Sequence, residues 1–135
     1  MKKLLILLLI ILSGCTSTRM FSGNIVDMHK LHTMHCGFVR EVNEELCVLA
    51  KKHSIAMSAV GLNHRRLQQR LSGIKKVGYA ENVAYGYSIN DVFQGLIDSP
   101  GHRKNIENRR FDQIGYGIHI RNGKQYWTMI FIDSE

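Results

Sequence analysis

The sequence predicts an α+β fold, with helices layered on a small antiparallel sheet. Two observations carry this. Apolar residues recur at helical spacing through the middle of the chain, and two alternating strands near its end flank Asn122-Gly123. Asn-Gly is a strong two-residue hairpin signal, because both central residues of a type I′ turn need positive φ.

The chain opens with Lys2 and Lys3, an apolar run from Leu4 to Leu12, and then Ser13-Gly14-Cys15. That order describes a signal peptide, and the run is too short to span a bilayer comfortably. Leu12-Ser13-Gly14-Cys15 resembles the lipobox of bacterial lipoproteins, in which the cysteine is acylated (palmitate in the usual case) and becomes the mature N-terminus. The expected division is a signal peptide over 1–14, a lipidated tether over 15–23 and one domain over 24–135. The plainer alternative is a secretory signal with a chance cysteine. Removing 14 of the 135 residues leaves 121, enough for one domain with a core. Loss of Lys2 and Lys3 lowers the formal net charge from +7 to +5. That charge suits anionic lipid or cell-wall polymer. Nucleic acid is excluded as a partner, because no basic stripe with interleaved aromatics is present.

Ile25–His35 is predicted as a first helix, stopped at Cys36-Gly37. His29, His32 and His35 fall on one side of it and read as an exposed row. Asn43 caps a stronger helix, in which Leu46, Leu49, Ala50, His53, Ala56 and Met57 recur at helical spacing. That pattern breaks at Gly61–Asn63, and the next segment is compatible with a short helix from Arg65 to Leu71. Gly73 and Gly78 mark a loop. Ser88 or Asn90 is placed to cap a helix through Val92, Phe93, Leu96 and Ile97. Ser99 then caps the next helix, with Pro100 at its first position and an end near Asn108. The hairpin over 114–132 sets Ile118 opposite Trp127, Tyr116 opposite Met129, and Ile114 opposite Phe131. Its other face carries Gly115 and Gly117, where either something packs close or a cavity opens. Cys36 and Cys47 are too far apart to pair within one straight helix. A break at Gly37 permits a disulfide, and two buried free thiols are the open alternative.

His102 falls in the first turn of the helix begun by Ser99-Pro100, where unpaired backbone N–H groups disfavour imidazolium. A histidine held neutral is suited to bind a metal or accept a proton. Its best partners are His64, in Leu62-Asn63-His64, and Glu81, in Ala80-Glu81-Asn82-Val83-Ala84. With the helix around Glu45–Ser54, Arg70, Ser99–Ile106, Phe111, Ile114-Gly115-Tyr116-Gly117 and Tyr126-Trp127, the chain resembles the CAP superfamily (cysteine-rich secretory, antigen 5 and pathogenesis-related proteins). The resemblance runs from about Leu31 to Phe131 and is nearest the short bacterial members. It implies a three-layer α-β-α sandwich with a cleft where His64, Glu81 and His102 converge. It also implies zinc, held in some members by the two matching histidines with the glutamate beside them.

Two departures bear on that site. Leu96 stands where relatives usually carry tryptophan, and Ser99 stands near where longer members place a second cleft acid. Any metal should therefore bind weakly. The competing structural reading has His64 and His102 hydrogen-bonding Glu81 with no metal. In the same reading Asn82 satisfies backbone in a turn, Arg103 and Asn105 bond neighbouring loops, and His53 and His119 are packing residues.

Three functions are compatible with these residues. The first is a lipid-anchored envelope module binding a small apolar ligand or cell-wall polymer. It would sit at the outer membrane in a two-membraned host, because Thr16 rather than aspartate comes after Cys15. The second is a zinc-assisted hydrolase of peptide or cell wall, with His64 and His102 holding metal and Glu81 as general base. The third is a structural envelope adhesin with a vestigial cleft. Family members include sterol and fatty-acid binders, and this chain has no evident activated nucleophile.

Overall fold

The computed structural model describes residues 23–134, so the signal-peptide reading and the lipidation of Cys15 lie outside the described residues. The elements are α1 (Gly23–Cys36), β1 (Glu41–Val42), α2 (Glu44–Val60), α3 (Leu67–Arg70), β2 (Gly78–Gly86), α4 (Ile89–Asp98), α5 (Pro100–Glu107), β3 (Gln113–Arg121) and β4 (Lys124–Asp133). The sheet order is β1-β3-β4-β2. Its three long strands are antiparallel, and β1 adds a two-residue parallel pairing to β3.

Alternation along the strands divides the core in two. Ile114, Tyr116, Trp127, Met129 and Phe131 face one way, onto Met28 of α1, Val92 and Leu96 of α4 and Ile106 of α5. Ile130 and Ile132 face the other way, onto Leu46 and Ala50 of α2 and onto Leu71 and Ile74. Three layers result: α2 with α3, the sheet, and α1 with α4 and α5.

The hairpin has the register its turn predicts, with Ile118 opposite Trp127, Tyr116 opposite Met129 and Ile114 opposite Phe131. Asn122 and Gly123 take φ of 52° and 74°, as a type I′ turn requires. At the two strand glycines something does pack close. A Cβ on Gly115 would lie 2.3 Å from Leu46 Cβ, and one on Gly117 would lie 2.2 Å from the Ala50 carbonyl carbon. The backbone of α2 rests directly on β3.

Helix ends obey the sequence signals. Asn43 accepts the Leu46 N–H at 3.0 Å, and Ser88, rather than Asn90, caps α4 by accepting the Asp91 N–H at 3.1 Å. Ser99 occupies the cap position of α5 but its hydroxyl makes no capping bond; its carbonyl accepts the Arg103 N–H at 2.9 Å.

Two expectations need correction. The histidine row of α1 is not exposed throughout: its middle member, His32, is 2 % exposed and packs against Phe93, Tyr116 and Phe131. Neither of its ring nitrogens has a hydrogen-bond partner among the described residues. Burial, then the charges of Arg40, His29 and His35, push its pKa down to about 3. On either side, His29 Nδ1 pairs with the Tyr116 hydroxyl at 3.1 Å and His35 Nε2 with Glu107 at 2.9 Å. Second, residues 78–86 are not a loop edge but a full strand, β2. Of the two readings left open for the cysteines, the structure has the free thiols. Cys36 donates to the Ile106 carbonyl at 3.1 Å, and Cys47 accepts the Tyr116 N–H at 3.3 Å.

Arg40 is buried, and among the described residues it has no carboxylate partner. It donates to the Phe111, Ile106 and Asn108 carbonyls at 2.8, 2.7 and 2.9 Å and lies over the Phe38 ring. Those carbonyls end α5 and begin the turn into β3, so one guanidinium fixes the return of the chain to the sheet.

Candidate functional site

Strand β2 is a sheet edge, flanked by the α2/α3 layer on one side and α4/α5 on the other. Successive residues point to opposite layers. Glu81 faces the α2 layer and Asn82 the α5 layer, and each organises the elements above it.

The Glu81 side chain is fully buried. Arg70, at the end of α3, chelates it: Nη1 donates to Oε2 at 2.6 Å and Nη2 to Oε1 at 3.0 Å. His64 Nδ1 donates to Oε1 at 2.9 Å. The loop carrying His64 is set by Gly61, whose φ of 90° ends α2, and by Asn63, whose amide donates to the Gly61 carbonyl at 2.8 Å. His53 fixes that loop from within α2, since its Nε2–H donates to the Asn63 carbonyl at 2.7 Å. The Arg70 Nε–H holds the far end through the Arg65 carbonyl at 3.0 Å. With Nδ1 committed to Glu81, the half-exposed His64 ring has Nε2 as its remaining nitrogen, an acceptor in the neutral form.

On the other side, Asn82 donates to the His102 carbonyl at 3.0 Å and accepts from the Asn105 amide at 2.8 Å. Asn82 thus serves the first turn of α5, not a turn of its own. Its bond seats His102 at the edge of β2. Burial, and then the neighbouring His64, lower the His102 pKa, so the imidazole is held neutral. A recess of about 220 Å³ opens beside it, lined by Leu62, Val83, Ala84, Val92 and Leu96. Of the three sequence candidates, His64 and Glu81 lie on the α2 side of β2, and His102 is held on the α5 side through its backbone. His64 bonds Glu81 directly, and among the described residues His102 does not.

The residues present do not form a complete metal shell. Among the described residues, no group of three or more His, Cys, Asp and Glu side chains is placed to hold a metal ion. Both Glu81 oxygens are occupied, which leaves two imidazoles as the donor set. Arg70 was legible only as part of the family likeness. A basic residue eleven positions before a buried glutamate is too common a pattern to assign by itself.

The sequence profile of the cysteine-rich secretory protein family matches residues 29–131, most of the chain. The chain belongs to the CAP family. No curated protein matches it in sequence. Among solved structures, an outer surface protein of Borrelia burgdorferi superposes with a TM-score of 0.70 at 19 % identity, covering 82 % of this chain and 89 % of that one. Venom allergen-like protein 4 of Schistosoma mansoni gives 0.72 at 10 % identity, with 85 % and 91 % covered. An extracellular SCP-domain protein of Bacillus anthracis gives 0.69 at 24 % identity; the match covers 82 % of this chain but only 40 % of that protein. These likenesses establish a shared fold. Within this CAP domain, Leu96 is buried and lines the recess beside His102.

Proposed function

We propose that this CAP domain is a lipid-anchored ligand-binding module of the bacterial envelope, whose cleft offers His64 Nε2 and neutral His102 to an apolar or polymeric ligand. The observation that carries this reading is the chelation of Glu81 by Arg70. A general base must be free to take a proton. Here the carboxylate is committed to a guanidinium and an imidazole, so it acts as a positioning group for His64. The apolar recess beside His102 supplies contact surface for a ligand. The lipobox-like Leu12–Cys15, together with structural neighbours described as outer surface or extracellular proteins, supports an envelope location.

One observation favours a second reading, zinc held by His64 and His102. A carboxylate on Nδ1 fixes the tautomer that a metal-bound Nε2 needs. Zinc there would supply a Lewis acid, with water completing its shell. Native mass spectrometry of the mature chain, with lipid extraction, separates the two. Binding predicts a co-purifying apolar ligand without stoichiometric zinc, and its loss in His64→Ala or His102→Ala. Preparations free of ligand count against it. Stoichiometric zinc that both variants lose would favour the second reading.

A further inference from the structure

The other edge of the sheet is also open. β1 pairs with β3 only at Gln113 and Ile114. Beyond them, α2 side chains take the place of a strand: the Tyr116 N–H donates to Cys47 Sγ at 3.3 Å, and Lys51 Nζ donates to the Ile118 carbonyl. The Asn43 N–H donates to the Ile114 carbonyl on the same side. The even-numbered residues of β3 therefore turn their backbone groups outward. Among the described residues, no strand completes the ladder opposite Ile118 and Ile120.

This edge is the floor of a slot of about 810 Å³, lined largely by apolar atoms. One wall is α2, through Val48, Lys51 and Lys52; the other is the start of α1, through Asn24 and Ile25. Val48 and Ile120 are 54 % and 52 % exposed, so both hold apolar surface in water at the mouth. A sheet edge flanked by apolar side chains is a template for another extended chain.

We propose that the slot takes an extended polypeptide segment of alternating apolar and acidic residues, added as a strand along β3. Main-chain bonds form at the Ile118 N–H and at Ile120, apolar side chains enter beside Ile25 on the α1 wall, and the alternate, acidic side chains face Lys52 on the α2 wall. Charge selects this occupant. Lys51, Lys52 and His119 line the slot against a single acid, Glu44. A second copy paired edge to edge would set its own lysines against these, the arrangement by which proteins block such pairing. This site is separate from the His64 cleft and does not depend on what that cleft binds.

The test is fluorescence anisotropy on the full chain in lipid nanodiscs. The probe is a labelled, end-blocked Glu-Val-Asp-Val-Glu-Val peptide, compared with Lys-Val-Lys-Val-Lys-Val. The acidic peptide should bind with a dissociation constant on the order of micromolar, and the basic one at least about tenfold more weakly. Ile120→Pro removes an outward N–H without touching the β4 ladder and should weaken binding at least about fivefold. Lys52→Glu, an exposed change that leaves the fold intact, should do the same. No binding of the acidic peptide up to millimolar, equal binding of the basic one, or unchanged binding by Lys52→Glu overturns the proposal. A dimer in sedimentation that Ile120→Pro abolishes would also overturn it, assigning the edge to a second copy.

Discussion

Replacing His32 with leucine should make this protein more resistant to acid. His32 is buried among aromatic rings with both nitrogens unpartnered, and its folded-state pKa is about 3 against an ordinary value of 6.5. The folded chain therefore refuses a proton that the unfolded chain accepts. Stability is whole above about pH 6.5 and is lost as pH falls toward the folded value near 3. Linkage puts the loss from this one residue at about 2 kcal/mol at pH 5 and about 3 kcal/mol at pH 4. Against a typical domain stability of about 5–15 kcal/mol, that is a large share.

Urea unfolding at pH 7, 6, 5 and 4 measures it. Leucine is close in size and leaves no orphaned polar atom, so His32→Leu should match or exceed wild type at pH 7. The gap should then widen by about 2 kcal/mol on going to pH 5. Some acid sensitivity will persist in both proteins, because burial also lowers the pKa of His29 and His102. Parallel stability curves for wild type and His32→Leu would refute the argument, since they would mean His32 gains a proton in the folded state as readily as in the unfolded one.

Two further substitutions probe the layers around the sheet. Arg70→Met strands the buried Glu81 carboxylate and should cost about 3–5 kcal/mol in chemical denaturation, with part recovered in the Arg70→Met/Glu81→Gln pair. No recovery in the pair would mean that Arg70 acts through its packing alone. Gly117→Ala drives a methyl into the α2 backbone and should cost at least about 3 kcal/mol. Gly123→Ala, which meets only an unfavourable φ, should cost about 1 kcal/mol. Equal thermal shifts for the two glycines would contradict the close approach of α2.

What the sequence made legible was local. Asn43, Ser88 and Asn122-Gly123 declare their caps and turn because each solves a backbone problem within three or four residues. The hairpin register comes from its turn alone. Strand β2 was hidden for the opposite reason. Gly78–Gly86 carries Glu81 and Asn82, residues poorly suited to strands, and it is extended only because β4 pairs with it and partners from two layers satisfy both side chains. His32 misled for a related reason. Histidines at three-residue steps look like a solvated face, and only the crossing of α1 over Phe93 and Phe131 buries the middle one. At the site, His64, Glu81 and His102 were legible as a set through the family likeness, but the role of Arg70 was not. That role exists only once α3 brings it back over β2.

The two glycines of β3 connect these observations. Because Gly115 and Gly117 lack side chains, α2 settles on the sheet with its backbone in contact. At that depth Ser54 reaches the Gly117 carbonyl at 3.1 Å and Thr128 at 2.8 Å, a bond that pins the helix across β3 and β4. The same seating brings Cys47 and Lys51 to the outer edge of β3, where they take the place of a missing strand. It also brings His53 within reach of the Asn63 carbonyl, and so sets the loop that presents His64 over β2. One helix thus governs both open edges of the sheet. A change that lifts α2 should disturb the cleft and the slot together, whereas Lys52→Glu should alter the slot and leave His64 in place.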